Sequence, residues 1–191
     1  MEPEIAELRK NYERLDDERI IRLASEEATE LRPEALELLK QIIKERGLSP
    51  VVSESIGVQF ELDEKKIEGY CALLRGLPCP QCNSMNEKLN GNVVATLAGG
   101  YYFENLKIEC PTCLDKAYSA ANLKIALTGW WRLPGLFNAP RALIFNKKMK
   151  KWNHIETASE PLKAFVSSHA GRIELNRNNP EGLTDILLYP R

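Results

Sequence analysis

The sequence lacks any apolar run of the roughly 20 residues that a helix needs to cross a bilayer. Its opening residues, MEPEIAELRK, are acidic and amphipathic, whereas a signal peptide is basic and then apolar. The net charge of −1 also leaves no general excess of either sign, which argues against a nucleic-acid coat or an acidic tail. We therefore expect a soluble, cytoplasmic protein that meets any charged partner through a local surface.

Histidine is scarce, and this limits the catalytic chemistry open to the chain. His154 and His169 are the only two, and neither falls in a metal motif or beside a nucleophile signature. Ser168 precedes His169, but adjacent side chains on a helix diverge, so no Ser–His pair is expected. The sequence predicts no catalytic residue and no small-molecule substrate, and it favours a binding protein over an enzyme.

Cysteine is also sparse, but four of the five cysteines are paired. The pairs lie in CPQC and CPTC, with 27 residues between them. This spacing, without a secretory signal, is typical of a Cys₄ metal site rather than of disulfides. Zinc is favoured for four thiolates, and iron is the alternative. Because the four ligands complete a tetrahedron, we expect one structural zinc ion per chain, held by Cys79, Cys82, Cys110 and Cys113.

Each cysteine pair is predicted to form a tight turn, or knuckle, that directs two sulfurs at one ion. Pro80 and Pro111 fix φ after the first cysteine of each pair, which favours the turn. Asn83 suits the left-handed conformation needed after the first pair, whereas Leu114 suits it poorly, so a distorted second knuckle is expected. The alternative, a redox-active C-x-x-C, needs a flanking βαβ pattern that the sequence does not show.

The fifth cysteine, Cys71, is predicted to be a core residue and not a ligand. Ile67, Tyr70, Cys71 and Leu74 recur at i, i+3, i+4 and i+7. This spacing places the Cys71 thiol on the apolar stripe of a helix.

Apolar periodicity predicts three short helices over residues 4–47. Asp16 or Asp17 is a candidate cap for the second helix. Pro33 suits the first turn of the third helix, and Gly47 suits a left-handed stop after it. A helical module therefore begins the chain.

A linker containing Ser49, Pro50 and Ser53 is expected next, and Asp63 then begins a helix through Arg75. Between the cysteine pairs, the β-prone runs NVVATLA and YYFENLKIE predict a hairpin that turns at two adjacent glycines. The predicted domains are a helical module, 1–48, a zinc-ribbon domain with a basic aromatic segment, 62–155, and a C-terminal extension packed on the ribbon, 156–191.

After the second cysteine pair, the sequence predicts a helix over about 115–128. The next stretch, GWWRLPGLFNAPRALIFN, contains glycines and prolines that argue against one continuous helix. Further on, Ser159 and Pro161 predict a helix, Gly171 its end, RIEL a strand and Pro180 a last short helix. The expected fold class is α+β: a helical module, a Cys₄ zinc ribbon and a mixed C-terminal extension.

Charge is distributed unevenly along the chain. Residues 1–75 carry 18 acidic and 12 basic side chains, whereas residues 116–155 contain no acidic residue. The basic residues of the second segment are Lys116, Lys124, Arg132, Arg141, Lys147, Lys148, Lys150 and Lys151. All the tryptophans lie in the same segment, so cations and aromatic rings are interleaved. The candidate partner-binding residues are Trp130, Trp131, Arg132, Arg141, Lys147, Lys148, Lys150, Lys151 and Trp152.

Several interpretations of this segment remain open at the level of sequence. The simplest is that Trp130, Trp131, Leu133, Leu136 and Phe137 fill a core, with the lysine run as a solvated loop. Alternatively, Trp and Arg are usual anchors for a protein partner, which is the function favoured here. A nucleic-acid surface of low sequence specificity is the second hypothesis, and peripheral binding to an anionic membrane is the third.

Two parts of the chain are similar to known bacterial proteins. The stretch NYERLDDERIIRLASEEATELRPEALELLKQIIKERGL resembles a short helical module that begins many bacterial proteins. CPQC, CPTC and GWWRLPGLFNAPRALIFN together resemble uncharacterised bacterial zinc-ribbon proteins in which a Gly-Trp-Trp segment follows the second knuckle. The resemblance covers residues 11–47 and 79–146, and Leu114 departs from the glycine common after a knuckle. It implies a bacterial cytosolic zinc-binding protein with the four cysteine ligands and no assigned activity.

Overall fold

The computed structural model describes residues 3–130 and 133–189 and has the mixed α+β composition expected from the sequence. It is mostly helical, with one two-stranded antiparallel sheet among the described residues. No helix in these ranges is both long enough and apolar enough to span a membrane. The chain divides into unit 1, Met1–Tyr70 with Val166–Ile186, and unit 2, Cys71–Phe165 with Leu187–Arg191. The predicted domains 1–48, 62–155 and 156–191 therefore do not coincide with the compact units.

Unit 1 begins with the three helices that periodicity predicts. These are α1, Pro3–Glu13, α2, Asp17–Glu26, and α3, Pro33–Glu45, with a 3₁₀ turn at Ala28–Glu30 between the last two. Asp16 caps α2, because its carboxylate accepts a hydrogen bond from the Arg19 N–H at 2.8 Å. Pro33 opens α3, and Gly47 follows it with φ of 64°. The predicted helices and their local signals are confirmed.

The linker predicted around Pro50 is instead a helix, α4, which covers Pro50–Phe60. Pro50 lies in the first turn, where a missing N–H leaves no intrahelical bond unmade. Val52 and Ile56 are buried four residues apart, and both join the core of unit 1. The next helix, α5, covers Glu64–Arg75 and starts after Asp63 as predicted.

The strand predicted for RIEL is also wrong, since these residues lie in the helix α9, Ala170–Leu175. A Cβ at Gly171 would lie 2.3 Å from the Ser25 carbonyl oxygen and 2.9 Å from that of Ser55. The glycine therefore lets α9 pack directly on α2 and α4, and this packing overrides the β propensity of RIEL. Residues 166–186 thus lie in unit 1, whereas the sequence predicts that they pack on the ribbon. The helices predicted on either side are present as α8, Glu160–Ser168, and α10, Pro180–Leu188.

Unit 2 contains the predicted hairpin and two long helices. Strand β1, Asn90–Ala98, pairs with β2, Tyr101–Glu109, from Asn90 opposite Glu109 to Ala98 opposite Tyr101. Gly99 and Gly100 make the turn with positive φ values of 60° and 88°, a conformation that glycine adopts freely. Helix α6, Pro111–Thr128, and helix α7, Leu133–Lys150, follow.

Side chains form hydrogen bonds with the edge of β1 that does not pair with β2. The Asn146 amide on α7 both accepts from the Ala95 N–H and donates to the Ala95 carbonyl, at 2.8 and 2.9 Å. The Tyr118 hydroxyl on α6 donates to the Val93 carbonyl, and the Ser159 hydroxyl donates to the Gly91 carbonyl. Because an unpaired strand edge is costly when buried, these bonds fix β1 between the two helices.

The stretch predicted to be irregular forms most of helix α7. Pro134 lies in the first turn, where proline is tolerated, and Pro140 lies within the helix, where it removes one backbone bond. Gly135 approaches α6 so closely that a Cβ there would lie 1.8 Å from the Gly129 carbonyl oxygen. The glycines and prolines therefore shape a tight helical hairpin rather than an irregular loop.

Candidate metal centre

The first cysteine pair forms the predicted knuckle. The Cys79 N–H donates to the Ser84 carbonyl at 2.9 Å, and the Asn83 N–H donates to the Cys79 carbonyl at 2.7 Å. Asn83 has φ of 57°, the left-handed conformation that its short polar side chain tolerates. The turn predicted from CPQC and Asn83 is confirmed.

The second cysteine pair is not a knuckle but the first turn of α6. Cys110 is the N-cap residue, Pro111 takes the first helical position and Cys113 lies in the same turn. Leu114 is helical and fully buried, so the left-handed conformation expected at this position does not arise. The prediction of a distorted second knuckle is wrong, because proline at the first helical position and a buried leucine both favour helix here.

The four sulfurs converge on one point. Their Sγ atoms all lie within 4.8 Å of one another, and those of Cys82 and Cys110 are 3.8 Å apart. A tetrahedral ion with metal–sulfur bonds of about 2.3 Å needs sulfurs about 3.8 Å apart, so the cluster fits such an ion. A disulfide needs about 2.05 Å, and all four cysteines are free thiols. Four cysteines can therefore bind a metal ion between the knuckle and α6.

The surroundings of the four thiols differ. Cys79, Cys110 and Cys113 are buried, whereas Cys82 is exposed. Burial raises the pKa of Cys113 to about 11 and also raises that of Cys110, while the Ser84 N–H lowers the pKa of Cys82. A divalent ion would hold the buried sulfurs as thiolates, since thiolates are the form that binds metal.

Hydrogen bonds tie the cluster to its two supporting elements. The Cys110 N–H donates to the Cys79 sulfur at 3.3 Å, which joins the start of α6 to the knuckle. The Glu87 carboxylate accepts from both the N–H and the hydroxyl of Thr112, so it caps α6 beside the cluster. Cys71 is buried outside the cluster, which confirms its prediction as a core residue.

Neither of the described histidines belongs to the sulfur cluster. His154 Nε2 is 3.1 Å from the Asp115 carboxylate, and Asn153 donates to the same carboxylate. The Ser168 hydroxyl is 2.9 Å from His169 Nδ1, so the prediction that these two side chains diverge is wrong. The reason is that α8 ends at Ser168 and the chain turns before α9. Both contacts involve exposed side chains.

The structure places most of the candidate partner-binding residues at the surface of unit 2. Trp130 is 45% exposed and Trp152 is 55% exposed. Lys147, Lys148 and Lys151 are exposed and Lys150 is half-buried. Trp131 and Arg132 lie outside the described residues.

Arg141 is also exposed, but its guanidinium already has an aromatic partner in unit 2. It lies over the Tyr102 ring, 4.7 Å from the centroid, and Tyr102 in turn meets Phe145 edge to face. Stacking of this kind holds a cation in place. Arg141 is therefore part of the packing between β2 and α7.

The end of the α6–α7 hairpin carries large apolar side chains that are not buried. Leu133 is 82% exposed and Phe137 is 77% exposed, so the interpretation of these residues as core is wrong. We call this set the apolar tip; its described members are Leu123, Leu127, Trp130, Leu133, Leu136 and Phe137. The sequence-based predictions did not include Leu123 and Leu127, although these two residues lie four positions apart on one face of α6.

Comparison of the chain with models of protein families, with curated proteins and with solved structures finds no match. The features that bear on function are therefore the sulfur cluster and the apolar tip.

Proposed function

We propose that unit 2 is a non-catalytic binding module in which a structural zinc ion supports a basic, aromatic-rich surface for a protein partner. The observation that carries this proposal is the apolar tip. Its six large apolar side chains are exposed towards the end of one helical hairpin, and they lie within a segment, 116–155, that has no acidic residue. Exposed apolar groups with charged neighbours of one sign mark interaction surfaces in proteins.

Zinc suits the site because the donor set consists of thiolates alone. Four protein ligands leave no position for water or substrate, so the ion supplies folding energy rather than catalysis. It joins the knuckle to the N-terminus of α6, and α6 carries Leu123 and Leu127 of the apolar tip. The role assigned to the zinc is therefore to fix the helix that presents the surface.

A protein partner is favoured by the chemistry of the exposed groups. Apolar side chains along one face of a helix fill a hydrophobic groove of another protein, whereas bases stack on flat rings. Among the described members of the apolar tip, Trp130 and Phe137 have such rings and the rest are leucines. The basic residues of the segment favour an acidic partner and disfavour a second copy of the same surface, because like charges repel.

Site-specific photo-cross-linking in the source cells tests this proposal. A photoreactive amino acid replaces Phe137 in the full chain, and the matched control carries it at the exposed Glu18 of α2. We expect a discrete adduct with protein from position 137, absent from position 18 and strongly reduced by Cys110→Ser. Adducts with nucleic acid or lipid in place of protein, or equal adducts from both positions, would contradict the proposal.

A further inference from the structure

A groove of about 430 Å³ runs along α6 in unit 2, between this helix and one face of the hairpin. Its floor is apolar and made of small side chains: Val94 of β1 and Ala117, Ala120 and Ala121 of α6. Lys107, Glu109, Lys116 and Lys124 also line it, as does Cys113 of the sulfur cluster. The groove therefore combines a shallow apolar channel with cationic groups along one wall.

The lining lysines differ in whether they have an ion-pair partner among the described residues. Lys107 of β2 pairs with Glu109 at 2.9 Å, so this lysine is satisfied internally. Lys116 and Lys124 are exposed, and within the described part of the chain neither forms an ion pair. The groove is thus complementary to a ligand with two negative charges.

The spacing of these lysines sets the length of the ligand. They are eight positions apart on α6, which corresponds to about 12 Å along the helix axis. In an extended peptide, residues i and i+4 are about 13 Å apart and point to the same side, as does residue i+2 between them. Carboxylates at i and i+4 would reach the two lysines, and an apolar side chain at i+2 would lie on the alanines.

We propose that this groove is the docking site for an extended acidic segment of a protein, with acidic residues at i and i+4 and an apolar residue at i+2. The inference rests on the proposed function, since it specifies how the protein partner is recognised. The shallow alanine floor fits a single extended chain. A nucleic acid would contact the lysines through its phosphates and would leave the apolar floor without a contact.

Fluorescence anisotropy of a labelled peptide tests the inference on the full, zinc-loaded chain. The probe contains Glu-Ser-Val-Ser-Glu between glycine and serine flanks, and the matched control has the same composition with the two glutamates adjacent. We expect the probe to bind at least about tenfold more tightly than the control, and binding to weaken with salt. Equal affinity for both peptides, or no binding of either, would overturn the inference.

Two variants locate the binding to the groove. Lys116→Glu with Lys124→Glu reverses its charge, and Ala120→Trp fills its floor from an exposed position. We expect each to weaken probe binding about tenfold or more with zinc content unchanged. The charge control is Lys147→Glu with Lys148→Glu, which lie outside the lining of the groove. An equal loss in the control would show non-specific attraction and would contradict the assignment.

The same anisotropy experiment also tests two other classes of ligand. Tighter binding of a single-stranded oligonucleotide, or of anionic phosphatidylglycerol vesicles, with the same dependence on Lys116 and Lys124 would replace the peptide as the ligand. The cross-linking at position 137 keeps the two proposals distinguishable. If that adduct forms while the peptide fails to bind, only the groove assignment is wrong; if the peptide binds and no adduct forms, the role of the apolar tip is wrong.

Discussion

Five cysteines of one chemical type have two different roles in this chain, and their surroundings separate them. Cys79 and Cys110 belong to a cluster whose sulfurs all lie within 4.8 Å of one another. Cys71 is equally buried but lies on the apolar stripe of α5. The pairing of cysteines in the sequence was sufficient to predict this difference, because two C-x-x-C turns can serve one ion and a lone thiol at helical spacing cannot.

Replacing one cluster cysteine is expected to remove the metal. Cys79→Ser or Cys110→Ser leaves three thiolates, which cannot close the tetrahedral site, so bound zinc should fall from about one per chain to near zero. The matched control is Cys71→Ala, which removes a buried thiol without touching the cluster. Elemental analysis of the purified proteins measures this. Unchanged metal in the two serine variants, or an equal loss in the control, would contradict the assignment of ligands.

Single residues also show which backbone conformations can be predicted from residue type. Asp16, Gly47 and Asn83 have the backbone roles that their side chains predict, because capping and left-handed φ depend on local chemistry. Leu114 was misjudged because its conformation depends on the helix that follows it and on its burial in unit 2. Residue type therefore predicts a backbone conformation correctly when local interactions determine it. The prediction fails when tertiary packing determines the conformation.

At the scale of elements, the same contrast explains the helices that the sequence did not predict. Prolines and glycines in 129–146 suggested a loop, yet Pro134 falls in a first helical turn and Gly135 at a close contact between helices. RIEL in α9 suggested a strand, yet Gly171 allows tight helix packing. In each case a residue that breaks helices in isolation has a position in the tertiary structure where it favours one.

The close contact at Gly135 leads to a prediction for the α6–α7 hairpin. Gly135→Ala would place a Cβ 1.8 Å from the Gly129 carbonyl oxygen, so the start of α7 must shift. We expect unit 2 to lose about 1–3 kcal/mol in free energy of unfolding. Urea unfolding followed by tryptophan fluorescence measures this. The control is Gly76→Ala, just after α5 in unit 2, where the nearest atoms would lie 3.5 Å or more from the new Cβ and little change in stability is expected.

The edge of β1 leads to a second prediction at this scale. Asn146→Ala removes the amide that pairs with both backbone groups of Ala95, which are buried and would then lack these partners. We expect a loss of about 2 kcal/mol or more in the free energy of unfolding of unit 2. Asn105→Ala, at an exposed position of β2 where the amide donates to the Thr96 hydroxyl, is the matched control and should change stability little. Similar effects from the two variants in urea unfolding would show that the edge is not held by Asn146.

At the scale of the molecule, the division into two units could not be predicted from the order of segments in the sequence. Residues 166–186 join the N-terminal helices in unit 1, although most of unit 2 lies between them in sequence. Such long-range packing depends on complementary surfaces, as at Gly171, rather than on local pattern. The charge contrast between 1–75 and 116–155 was visible in the sequence, but the groove and the apolar tip required the structure.

The exposed rings of unit 2 give a prediction for the whole protein in solution. All three tryptophans lie in residues 116–155, so intrinsic fluorescence reports on this unit alone. Because Trp130 and Trp152 are about half exposed, we expect emission at long wavelength and ready quenching by acrylamide. Short-wavelength emission protected from acrylamide would mean that these rings are buried and would contradict the exposed aromatic surface.

Under the proposed function, a structural zinc ion stabilises unit 2 and so positions the apolar tip. Thermal unfolding followed by tryptophan fluorescence, with and without a zinc chelator, tests it most directly. We expect removal of the metal to lower the unfolding midpoint of unit 2 strongly or to abolish its cooperative transition. Adding zinc should restore the transition and its midpoint. An unchanged midpoint after the metal has been removed would show that the four cysteines do not support the fold, and would contradict the account.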